Sequence, residues 1–84
     1  MVAGTVAAFG GLDILVCNAG ITGRPGAFAD VDMDDFDRVM NINLRSQVVL
    51  ANLALPQIAA RGGGSAILIS SLAGLRGNGA INAY

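Results

Sequence analysis

Two short apolar runs and one long amphipathic stretch organise this chain. The first run, Leu12-Asp13-Ile14-Leu15-Val16-Cys17, is almost continuous in apolar residues and leads into Asn18-Ala19-Gly20. The second, Ala66-Ile67-Leu68-Ile69, leads into Ser70 and Ser71. Runs this short, bounded by glycine and turn residues, predict strands over 12–17 and 66–70, each buried on both faces as in a parallel sheet. Ahead of the first run, Val2 to Phe9 is small and apolar and stops at Gly10-Gly11, which predicts a helix over 2–9. Gly20, Gly23, Pro25 and Gly26 predict a loop over 20–31. A long helix over 32–61 follows. Asp32 is placed to cap it, and Asp34 and Asp35 complement the positive end of its dipole. Phe36, Val39, Met40, Leu44, Val48, Ala51 and Leu55 recur at helical spacing along it. Pro56 predicts a kink or an earlier end. Gly62-Gly63-Gly64 then turns the chain into the second strand.

The order helix–strand–helix–strand predicts an α/β fold with a right-handed crossover between parallel strands. Two strands are too few for such a sheet, because a buried parallel strand needs neighbours on both edges and helices on both faces. The 84 residues therefore read as the middle of a doubly wound sheet, a partial domain over 1–84.

Composition changes this picture in three ways. With 54% apolar and 13% charged residues, the chain suits a segment covered on several sides. A formal net charge of −1 offers no basic field, so neither nucleic acid nor an anionic membrane is an expected partner. The single cysteine, Cys17, gives no disulfide framework and reads as a small buried hydrophobe, which fits a reducing cytoplasm. Met1 to Phe9 lacks the basic start of a signal peptide, and no run reaches the ~18 apolar residues of a membrane span.

Candidate chemistry gathers at the strand ends. Asn18-Ala19-Gly20 follows the first strand, where open α/β sheets bind ligands; the alternative is an ordinary strand-ending turn. Asn43 falls on the apolar face of the long helix, where an amide needs partners. Its amide either caps disrupted helix bonds, holds a water in a proton path, or is simply satisfied without chemistry. Ser71 and Tyr84 pair a hydroxyl able to hydrogen-bond a carbonyl or alcohol with a phenol able to exchange its proton. Between them lie Gly74, Gly77 and Gly79. No metal site is expected. Asp30, Asp32 and Asp34 start like a calcium loop, but Asp35 stands where that loop needs glycine and Asn41 where it needs glutamate. The glycine run at 62–64 lacks the lysine of a phosphate loop. Arg24 and Arg76 read as solvated loop charges.

Taken together, Leu12 to Gly20, then Asn43-Leu44, then Ile69-Ser70-Ser71-Leu72-Ala73-Gly74 and Tyr84 resemble the short-chain dehydrogenase/reductase family. Asn43 precedes Ser71 by 28 positions, and Ser71 precedes Tyr84 by 13, in the family's order and spacing. Val2 to Gly11 is similar to the helix and turn before the family's fourth strand. The resemblance implies a Rossmann-type fold and hydride transfer between NAD or NADP and a small carbonyl or alcohol. It implies that Asn18, Ala19 and Gly20 line the cofactor site. Ser71 would position the substrate oxygen. Tyr84 would sit against the cofactor and act as general acid or base. Asn43 would hold a water linked to the family's lysine. It also implies a homodimer or homotetramer involving helix 32–61. The family's glycine-rich fingerprint precedes the Val2 helix, and its lysine lies four positions after the tyrosine. The 84 residues contain no lysine and are expected to be inactive alone. A scaffold or nucleotide-sensing protein that keeps the fold is the alternative.

Overall fold

A computed structural model describes residues 1–77 and 80–84; Gly79 of the glycine-rich stretch lies outside them. The elements follow the expected order: α1 (Val2–Phe9), β1 (Ile14–Cys17), α2 (Met33–Met40), α3 (Ser46–Ala60) and β2 (Ser65–Leu68). Single 3-10 turns occur at Phe28–Asp30 and Leu72–Gly74, and a wide π turn at Asn41–Arg45 lies between α2 and α3. The chain divides into two compact units, a sheet unit of Met1–Asn18 with Gln47–Ile69, and a loop unit of Ala19–Ser46 with Ser70–Tyr84.

In the sheet unit, β1 and β2 pair in parallel, with Ile14 opposite Ser65 and Cys17 opposite Leu68. The ladder extends past the strands through Ser65 N–H to the Asp13 carbonyl (3.1 Å) and Ile69 N–H to the Cys17 carbonyl (2.9 Å). Successive strand side chains alternate between faces. Leu15 and Cys17 pack with Ala54 and Ile58 of α3, and Val2, Leu12, Leu50 and Ala51 close around them. A Cβ on Gly64 would run into the Asp13 carbonyl, so only glycine lets the chain pass there into β2.

Three expectations are corrected here. Both strands are shorter than 12–17 and 66–70, and the second starts one residue earlier. Neither is buried on both faces: Ile14 and Val16 are exposed, and every residue of β2 is exposed. The sheet has two strands among the described residues, and α3 covers one face of β1. Of the two outcomes expected at Pro56, a kink or an earlier end, the earlier end does not occur: the helix runs to Ala60. Proline withholds one donor from the Asn52 carbonyl, but Asn52 is exposed to water. Ala54 and Ile58, on either side of the proline, are both anchored in the core.

In the loop unit, Asp32 caps α2 as expected, its carboxylate accepting from Asp34 N–H (3.0 Å) and Asp35 N–H (3.2 Å). Val39 is fully buried. The helix departs from regularity at Ser46. The Ser46 hydroxyl donates to the Ile42 carbonyl (2.6 Å), the acceptor its own N–H would use in an α-helix. That N–H reaches back to Asn41 instead, which makes the turn five residues wide. A wide turn shifts the phase of every later side chain. Val48 and Leu55 of the expected apolar stripe are accordingly exposed, Leu44 is exposed within the turn itself, and Ala54 and Ile58 are buried.

Candidate active site

Asn18 ends the sheet unit, and Ala19 and Gly20 open the loop unit. All three are exposed just past the carboxyl end of β1. Asn18 makes no side-chain hydrogen bond among the described residues. The other three candidates, Asn43, Ser71 and Tyr84, all belong to the loop unit.

Asn43 lies within the wide turn and is half-buried. Its amide makes a two-way bond with one residue of the loop: Nδ2 donates to the Ile21 carbonyl (2.7 Å), and Oδ1 accepts from Ile21 N–H (2.8 Å). The amide therefore caps the loop after Gly20 rather than the disrupted helix bonds. It acts as a short piece of backbone ladder supplied by a side chain. Ile21 has both backbone polar groups engaged as a result.

Ser71 is half-buried in extended backbone. Strand β2 ends at Leu68, so neither Ser70 nor Ser71 is a strand residue. The Ser71 oxygen instead accepts from Ala73 N–H (3.2 Å) and caps the turn at Leu72–Gly74. Accepting that bond fixes the oxygen and leaves the hydroxyl proton available to a second acceptor. Tyr84 is exposed and shares no hydrogen bond with Ser71 among the described residues.

The segment before Tyr84 is tied to the 20–31 loop at Gly26. Gly26 N–H donates to the Ala80 carbonyl (3.0 Å), and Asn82 Nδ2 donates to the Gly26 carbonyl (3.0 Å). The loop is also fastened to α2. Arg24 N–H donates to Asp35 Oδ2 (2.6 Å), and the exposed Arg24 guanidinium pairs with Asp32 (3.0 Å). Arg38 pairs with the other oxygen of Asp35 (2.6 Å). The Arg38 guanidinium, followed by the Arg24 N–H, holds the Asp35 carboxyl below the usual aspartate range. Gly23 sits inside this knot at φ 74°, where a Cβ would lie 2.7 Å from Val39 Cγ2. A cavity of about 180 Å³ opens alongside, its lining including Arg24, Asp32, Asp35, Phe36 and Asn82. Sequence reasoning missed Asn82, and it read Gly26 only as a loop residue and Asp35 only as a partner of the helix dipole. An amide two residues before the candidate phenol was the available signal for Asn82.

A parallel strand pair joined through helices, with loops leaving the carboxyl ends of both strands, is a segment of a doubly wound, Rossmann-type α/β fold. Comparison with known proteins narrows this. The family described as short chain dehydrogenase matches residues 1–84. Dehydrogenase/reductase SDR family member 4 of Bos taurus is 36% identical over 73 residues, covering 87% of this chain and 26% of that protein. The 3-oxoacyl-(acyl-carrier-protein) reductase FabG of Rickettsia prowazekii is 45% identical over 67 residues, covering 80% and 27%. A crystal structure of NAD+-bound xylitol dehydrogenase superposes with a TM-score of 0.93 at 31% identity, over 99% of this chain and 32% of that one. The chain belongs to the short-chain dehydrogenase family. It spans about a quarter of the length of the curated relatives it matches.

Proposed function

We propose that the protein containing this chain is an oxidoreductase transferring hydride between NAD or NADP and a small carbonyl/alcohol pair. The observation that carries this reading is family membership over all 84 residues, joined to the close likeness to an NAD+-bound dehydrogenase. The nicotinamide would supply or accept the hydride. The residues present fit such a cofactor. Ala19 and Gly20 are exposed past β1, and the next backbone groups are already satisfied by Asn43. Ser71 donates its free hydroxyl proton to the substrate oxygen. Tyr84 gives that oxygen a proton in reduction and takes one in oxidation. Asn43 holds the loop beside Gly20 and binds a water in the proton path.

The exposed apolar residues Leu44, Val48 and Leu55 support a homodimer or homotetramer built on the Met33–Ala60 segment. Replacing Val48 with Asp is then expected to shift the full-length protein toward monomer in sedimentation velocity; an unchanged distribution argues against it. Cys17, a free and buried thiol, supports a cytoplasmic location. Among the described residues no helix is long and apolar enough to cross a membrane.

The test of the function is turnover of the full-length protein with NAD+, NADP+ and their reduced forms against polyols, secondary alcohols and 3-oxoacyl thioesters. Tyr84→Phe should lower kcat by about 10³-fold, within the range for a lost general acid or base, and leave cofactor affinity nearly unchanged. Turnover by Tyr84→Phe within twofold of wild type sinks the reading.

A further inference from the structure

Tyr84 carries the proposed proton transfer, yet its exposed side chain has no hydrogen-bond partner among the described residues. Its position is set by the backbone immediately before it. That backbone is held through Gly26, whose N–H and carbonyl are both spent on the segment two and four residues upstream of Tyr84. One of those bonds is backbone to backbone and any residue at position 80 could accept it. The other depends on a side chain, the primary amide of Asn82. Gly26 is itself anchored, because Arg24 two residues before it is bonded to Asp35 and Asp32 in the first turn of α2 and its cap. A continuous line of bonds therefore runs from the start of α2, through the loop, to Asn82 and on along the chain to Tyr84.

We propose that Asn82 is a positioning residue for Tyr84: its bond to the Gly26 carbonyl fixes where the phenol stands. The proposal rests on the reading of Tyr84 as the proton-transfer group. Proton transfer needs the phenol within hydrogen-bond reach of the substrate oxygen, and a misplacement of about 1 Å can cost 10²-fold in rate. The Ala80 carbonyl holds the segment four positions before the phenol, with Ile81, Asn82 and Ala83 between them. The amide at 82 halves that distance. Asn82 is itself half-buried in the wall of the cavity, which limits the rotamers its amide can adopt.

The experiment compares wild type, Asn82→Ala, Asn82→Asp and Tyr84→Phe in the full-length protein, using the best substrate from the panel above. Asn82→Asp keeps the shape and removes the donor. Both Asn82 variants should lose about tenfold in kcat, as expected for a displaced catalytic group, with cofactor KM within twofold of wild type and thermal midpoint near wild type. An Asn82→Asp enzyme with wild-type kcat overturns the proposal. So does a loss of kcat accompanied by an equal loss of cofactor affinity, or failure of both variants to fold, since either marks the bond as structural support only. If Tyr84→Phe retains turnover, the underlying reading of Tyr84 fails. If Tyr84→Phe is inactive and Asn82→Ala is not impaired, the positioning role alone fails.

Discussion

In the sheet unit, Leu15, Cys17, Ala54 and Ile58 remove one another from water, and a single exposed ion pair, Arg61 with Asp13, accompanies them. In the loop unit, Val39 is the one side chain buried completely among the described residues. Shape there comes from directed polar bonds: Asn43 with Ile21, Asp35 with Arg24 and Arg38, and Asn82 with Gly26. The contrast has a physical consequence. Apolar burial is non-directional and scales with area, so it supplies stability without fixing any atom finely. Hydrogen bonds weaken steeply with poor geometry, so they specify positions while contributing little net stability each. The residues proposed for chemistry fall in the unit built from the second kind of force. Functional segments drawn from the less stable part of a protein are the general expectation.

The comparison breaks most visibly at the glycines. Gly64→Ala forces a methyl group into the Asp13 carbonyl, and a backbone group has no rotamer with which to give way. The full-length protein should lose about 3 kcal/mol in denaturant unfolding, at the upper end of overpacking costs. A loss below 1 kcal/mol would mean that β2 can shift to make room. Gly23→Ala should cost less, about 2 kcal/mol, from the positive φ and the approach to Val39. Its damage should also be local. Amide exchange is expected to accelerate at Ile21 and Arg24, with the amides of β1 and β2 unaffected. Uniform acceleration across both units would show that they do not hold their shapes separately.

The sheet unit was the more legible of the two in the sequence. Its runs of apolar residues and its glycine stops are local signals, and α1 occurs at the predicted bounds of 2–9. Strand exposure was misjudged because burial depends on what else covers a sheet, which no local pattern states. The long helix was legible in its cap and its length and not in its phase. The cause is a single hydroxyl, Ser46, competing for the Ile42 carbonyl. A serine inside a helical pattern gives no warning of whether it bonds solvent or backbone. Asn43 was singled out as an amide on an apolar face, but its partner, Ile21, lies 22 residues away. For the same reason the bond made by Asn82 was not legible, although its place two residues before the phenol was: its partner is a glycine carbonyl 56 residues away.

The smallest expected effect isolates one polar bond set from the rest of the loop unit. Asp35 has a folded-state pKa below the ordinary aspartate value, chiefly through Arg38 and then the Arg24 N–H. A carboxyl whose pKa is depressed by folding adds stability that is fully present above its unfolded value, near ~3.9, and is lost as pH falls through the folded value. The Asp35 bonds to Arg38 and to the Arg24 N–H should therefore hold at neutral pH and be lost only in acid below that point. Following the Asp35 carboxyl carbon by NMR should give a midpoint under that of an ordinary aspartate. Arg38→Ala should move the midpoint upward, while the Arg24 N–H keeps it from returning fully. An Arg38→Ala midpoint equal to wild type would assign the shift to Arg24 instead. The backbone bond that ties the loop to α2 would then be what sets the Asp35 titration, and the pair with Arg38 within the helix would not.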